Sequence, residues 1–84
     1  MSIKETCEKA VQYFGKESRK QLAQEECAEL IQAISKDMRD EKHNVEEEIA
    51  DVLIMIRQLG HIYDKNLIQL WMDKKIKRLE NLMR

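Results

Sequence analysis

Apolar residues recur at three- and four-residue steps along nearly the whole chain, and the lapses in that rhythm divide it into four helices. Ile3, Cys7, Ala10, Val11 and Phe14 predict a first helix over about residues 2–14, stopped near Gly15, the usual residue just past a helix end. Ser18 followed three residues later by Gln21 has the capping-box form and predicts a second helix over about 18–39. At about 100° per residue, Ala23, Cys27, Leu30, Ile31, Ile34 and Met38 fall on one apolar arc. Leu22, Glu26, Glu29 and Ala33 form an adjoining stripe, with Glu25 on its edge.

Asp37 to His43 is the most polar segment and predicts a turn, and Asn44 with Glu47 resembles a second cap. A third helix over about 45–63 presents Val45, Ile49, Val52, Leu53, Ile56, Leu59 and Tyr63 as its buried face. Glu48 lies inside that arc and Asp51 on its margin, whereas Glu46 and Glu47 point elsewhere. Gly60 interrupts near its end, Asp64-Lys65-Asn66 supplies a turn, and Asn66 with Gln69 is a third candidate cap. The fourth helix, about 67–83, is expected to bury Ile68, Trp71, Met72, Ile76, Leu79, Leu82 and Met83. Lys75 projects from within that arc and Arg78 from its edge.

With no proline and two glycines the fold class is all-α, a single domain over residues 1–84 without linker or repeat. A chain this short buries only about 60% of its unfolded surface, so the helical bundle is expected to be completed by oligomerisation. Cys7 and Cys27 make no disulfide framework and read as reduced packing residues of a cytosolic protein. A net charge of −1 gives no electrostatic case for nucleic acid. No apolar run approaches the roughly 20 residues of a membrane span. Met1-Ser2-Ile3-Lys4-Glu5 has no signal-peptide core, so a cytoplasmic location is expected.

The chemistry lies in two acidic turns. Residues three apart on a helix are neighbours, so Glu26 pairs with Glu29 and Glu48 with Asp51. Each pair borders an apolar stripe, where unpaired negative charge is expensive. Carboxylates alone are hard ligands that suit Mg²⁺ or Mn²⁺ and suit zinc poorly. Lys75 and Arg78 on the next helix add cations for phosphate, which makes phosphate chemistry the natural reading. A single Glu-x-x-Glu is common on solvated helices; two, each beside an apolar stripe on consecutive helices, are not.

Glu25-Glu26-x-x-Glu29, a spacer, then Glu48-x-x-Asp51 resembles the signature of the all-α nucleoside triphosphate pyrophosphohydrolases of the MazG-like group. The likeness to its short phage and bacterial members extends to Gly15-Lys16-Glu17-Ser18, Leu30-Ile31, Val52-Leu53-Ile54 and the basic stretch Lys74 to Arg78. It implies magnesium-dependent hydrolysis of a nucleoside triphosphate between the α and β phosphates, giving a monophosphate and pyrophosphate. On that likeness Glu26, Glu29, Glu48 and Asp51 are the metal ligands. Glu25 orients or deprotonates the attacking water, and Lys75 and Arg78 contact substrate phosphates. Relatives of this length work as homo-oligomers, which implies a homodimer or homotetramer. Phosphoribosyl-ATP pyrophosphatases typically carry a Tyr-His pair where this chain has Met55-Ile56-Arg57, and dimeric dUTPases are generally longer.

Other residues carry two readings each. Trp71 stacks on a base or packs in its apolar arc, and the arc favours packing or a subunit interface. Gln21, one turn before Glu25, reaches the nucleotide or belongs to the Ser18 cap. His43 and His61 have no partner histidine at ligand spacing. The rival function is a non-catalytic helical oligomer, an interaction or regulatory protein whose acids are solvated or hold a structural ion.

Overall fold

The computed structural model describes residues 1–84 as four helices and no strand: α1 (Ile3–Phe14), α2 (Lys16–Met38), α3 (Val45–Leu59) and α4 (Lys65–Leu82). The capping-box pattern is realised at Ser2–Glu5 and not at Ser18–Gln21. Ser2 Oγ accepts from the Glu5 amide at 3.0 Å and contacts Glu5 Oε1 at 3.1 Å. Ser18 lies inside α2, its hydroxyl accepting from the Arg19 guanidinium.

A single residue does the work expected of that cap. Gly15 ends α1 by donating to the Val11 carbonyl and starts α2 by accepting from the Arg19 amide. Its φ of 90° and ψ of 153° fall in a backbone region that is essentially glycine's own. A Cβ there would meet no atom within 4 Å, so substitution is opposed by the backbone alone. Gly15→Ala is expected to lower unfolding stability by about 1–3 kcal/mol, read from denaturant midpoints. An unchanged midpoint would show that the α1–α2 junction relaxes freely.

α2 and α3 pack as an antiparallel hairpin that α1 covers, resting on both. The turn between them ends α2 with a six-residue closure. Asp40 takes the left-handed conformation (φ 57°), Glu41 N–H donates to the Lys36 carbonyl, and Asp40 N–H to Asp37. His43 staples the turn, with Nε2 3.1 Å from Asp37 Oδ1 and Nδ1 accepting from the Val45 amide. α3 stops at Leu59, four residues short of the expected end, with Gly60 as its cap. α4 starts two residues earlier than expected because Asp64, and not Asn66, caps it, accepting from the Asn66 and Leu67 amides.

The core is thin, with α1 buried on its expected face and α2 and α3 turned so that much of their expected arcs is left open. Buried are Cys7 and Val11 of α1, Ala23 and Ala33 of α2, and Glu48, Met55 and Gln58 of α3. The acid-bearing stripes of α2 and α3 face each other. Their richer apolar ridges, Ile31, Ile34 and Met38 on one helix and Ile49, Leu53 and Ile56 on the other, are exposed. Cys27 is exposed as well and only Cys7 packs, its Sγ 3.9 Å from the Ile54 carbonyl. α4 departs furthest from expectation: it packs against no other helix of its chain and buries no residue. No helix is long and apolar enough to cross a membrane.

Candidate metal centre

The facing stripes bring Glu26, Glu29, Glu48 and Asp51 together, with one carboxylate oxygen from each lying within 4.8 Å of the others. Glu26 faces Asp51 and Glu29 faces Glu48, the reciprocal pairing of antiparallel helices. Small residues allow the approach, since Ala33 sits one turn beyond Glu29 and is itself buried. Helical spacing thus supplies each pair, and the hairpin makes two pairs into one cluster.

Burial grades the four. Glu48 is 7% exposed, Glu26 and Asp51 are half-buried, and Glu29 opens to solvent. Burial is the largest cause holding the Glu26 carboxyl above the ordinary carboxylate range, and the charges of Glu29, Asp51 and Glu48 push the same way. Glu48 is likewise raised, first by burial and then by Glu29 and Asp51, against a lowering hydrogen bond from Asn44. Glu26 Oε2 and Glu48 Oε2 are both buried without a partner. The ion pairs of the chain, Lys20–Glu17, Arg39–Glu41 and His43–Asp37, leave all four acids without a cation. Four carboxylates, two of them with a buried oxygen that lacks a partner, fit a divalent cation such as Mg²⁺.

Asn44 was legible as a helix start but not as part of the site. It holds the N-cap position of α3 without capping through its side chain. Its Nδ2 instead donates to Glu48 Oε1 at 2.9 Å and to Glu47 Oε1 at 3.2 Å. The signal was its place four residues before Glu48, where an amide and a carboxylate meet on one helix face. Partners behind a ligand typically set its orientation at a 10–100-fold level. Asn44→Ala is therefore expected to weaken Mg²⁺ binding roughly 10–100-fold in a calorimetric titration. Unchanged affinity would remove Asn44 from the site.

The remaining candidates are not gathered in. Glu25 is exposed beside the cluster and is not one of its four members, and Gln21 is exposed one turn earlier. Glu46 and Glu47 point to solvent, as their helical phase required. Lys75 and Arg78 ride on α4, away from the acids of their own chain. Trp71 is 52% exposed on the same helix, with the Lys74 and Lys75 ammonium groups 5.2 and 5.9 Å from its ring centre.

A family model described as the MazG nucleotide pyrophosphohydrolase domain matches residues 14–83, leaving out only most of α1 and the last residue. Comparison with curated proteins and with solved structures gave no match.

Proposed function

Because the chain belongs to the MazG nucleotide pyrophosphohydrolase family, we propose that it hydrolyses a nucleoside or deoxynucleoside triphosphate between the α and β phosphates. The products are a monophosphate and pyrophosphate. The observation carrying this reading is the four-carboxylate cluster, with its buried, unpartnered Glu26 and Glu48 oxygens on facing helices.

Glu26, Glu29, Glu48 and Asp51 would hold Mg²⁺, with Mn²⁺ the alternative for the same hard donors. The ion would neutralise phosphate charge and make water a better nucleophile at neutral pH. Glu25, exposed and next in sequence to Glu26, would orient the attacking water and accept its proton. Lys75 and Arg78 bind the outer phosphates and stabilise the charge that builds on the leaving pyrophosphate. Gln21 and Trp71 are the candidate nucleotide contacts. The exposed apolar ridges of α2, α3 and α4 support a working form that is a homodimer or homotetramer.

The test is incubation of the protein with Mg²⁺ and a panel of nucleoside triphosphates, following pyrophosphate and monophosphate. Pyrophosphate release from at least one triphosphate, abolished by chelation, is the expected result. Failure to turn over any triphosphate would leave the non-catalytic oligomer as the better reading.

A further inference from the structure

The register that pairs the acids continues along the seam of the hairpin. Glu26 faces Asp51 and Glu29 faces Glu48. Seven residues before Glu26 and seven after Asp51, the same register sets Arg19 of α2 opposite Gln58 of α3. Seven residues is close to two helical turns, so both keep to the face that carries the acids, about 10 Å along the hairpin from them. Each brings one polar atom that is buried and has no partner: Arg19 Nε–H, a donor, and Gln58 Oε1, an acceptor. Gln58 is 6% exposed, and an amide oxygen shut away from water without a donor is costly.

The guanidinium is held in place without being neutralised. Its Cζ lies 4.2 Å from the centre of the Phe14 ring, and it donates to Ser18 Oγ at 3.0 Å. No carboxylate pairs with it, since the ion pairs of the chain use Lys20, Arg39 and His43. It does not bond Gln58 either. Between this pair and the acids the seam is apolar, with half-buried Leu22 and buried Met55. Phe14 is half-exposed and Arg19 half-buried, which leaves a flat ligand a way in beside them. A donor and an acceptor fixed on folded elements and bonded to nothing suit a ligand edge that offers an acceptor next to a donor.

We propose that Arg19 and Gln58 read the base of the nucleotide whose α-phosphate sits at the four carboxylates. Arg19 Nε–H donates to an acceptor on the base edge, and Gln58 Oε1 accepts from the N–H beside it. Such edges belong to the nucleobases, which set donors and acceptors side by side in the plane of a ring. Two turns of helix match the reach of a nucleotide from its α-phosphate to the far edge of its base, and the apolar middle of the seam suits the ring between. The pair admits a base that carries both groups and rejects a ring that lacks the donor, because Gln58 Oε1 then stays buried and unpaired. The assignment of a nucleotide to this seam rests on the pyrophosphohydrolase reading.

The test is calorimetric binding of ribonucleoside monophosphates to the full chain with Mg²⁺. The four ordinary bases are compared with plain purine and pyrimidin-2-one, rings that keep an acceptor and lack the neighbouring donor. The parent is expected to bind its preferred base roughly 10- to 100-fold more tightly than the matching donor-less ring. Gln58→Met, similar in shape and without the amide, is expected to bind the two alike. A ratio between two ligands on one folded protein is read, so a general loss of fold or affinity does not mimic the result. Arg19→Lys is the second variant: it keeps the charge, loses the fixed Nε–H, and narrows the margin of the preferred base over ribose 5-phosphate. A parent that binds none of these monophosphates, or binds base and donor-less ring equally, would overturn the base site, as would a Gln58→Met chain that keeps the parental ratio. Turnover judges the function separately. A parent that discriminates in binding and hydrolyses no triphosphate strikes the pyrophosphohydrolase reading, whereas one that hydrolyses triphosphates without discriminating strikes the base site alone.

Discussion

Replacing Glu48 by Gln is expected to lower triphosphate turnover by roughly 100- to 1000-fold, the cost of removing one centrally placed electrostatic group from a reacting site. It is also expected to raise the thermal midpoint of the metal-free protein. Glu48 is the most buried of the four acids, and its Oε2 has no partner. Gln keeps the shape and can still accept from Asn44 Nδ2, while the charge facing Glu29 and Asp51 is gone. Loss of activity with gain of stability is the signature of a site built for a cation and held together against repulsion. A variant as active as its parent would remove Glu48 from the chemistry. Stabilisation by itself is also allowed by the non-catalytic oligomer, so turnover is the deciding arm.

The second large effect is the response to Mg²⁺ and pH together. Glu26 and Glu48 have folded-state pKa values raised above the ordinary 4.5, so the folded metal-free chain binds more protons than the unfolded one. Its stability therefore falls as pH rises from that ordinary value through the raised pKa values. Above about pH 5 the ordinary carboxylates are already ionised, so a loss of stability that sets in above that pH is the part these two raised groups contribute. Mg²⁺ is expected to reverse it: at 100 times its dissociation constant a ligand of the folded state contributes about 2.7 kcal/mol. For a domain of this size that raises the midpoint by about 10 °C or more. Because protons compete for the same oxygens, Mg²⁺ affinity weakens toward acid. Melting curves at several pH values, with chelator and with Mg²⁺, check all three statements. Chelator curves flat in pH, with no shift on adding Mg²⁺, would contradict a carboxylate metal site.

Much of the fold was legible because local rules set it. Helical periodicity placed all four helices, and the three-residue spacing of Glu26 with Glu29 and Glu48 with Asp51 placed the ligands two by two. Ser18–Gln21 misled because a capping pattern signals a start only where the preceding backbone turns, and here Gly15 turns it first. The facing of helices was not legible for a more instructive reason. Periodicity marks the most apolar arc of a helix, and a rule of maximal burial assigns that arc to the core. In α2 and α3 the arc lies beside the face that closes the hairpin, and the chain turns its carboxylates inward while leaving Ile31 and Leu53 open. A sequence read as one chain cannot distinguish a surface buried within it from one left for a second copy. The same ambiguity holds for α4, whose apolar stripe predicts burial but does not say whether its own chain or another supplies the cover.

The short turn at Asp40 carries a consequence for time. It lets α2 and α3 meet across a short connection, and helical topologies of this kind fold in microseconds to milliseconds. The four carboxylates converge in that same closure, so their mutual repulsion works against it. A divalent ion held by the cluster would relieve that repulsion as the hairpin closes.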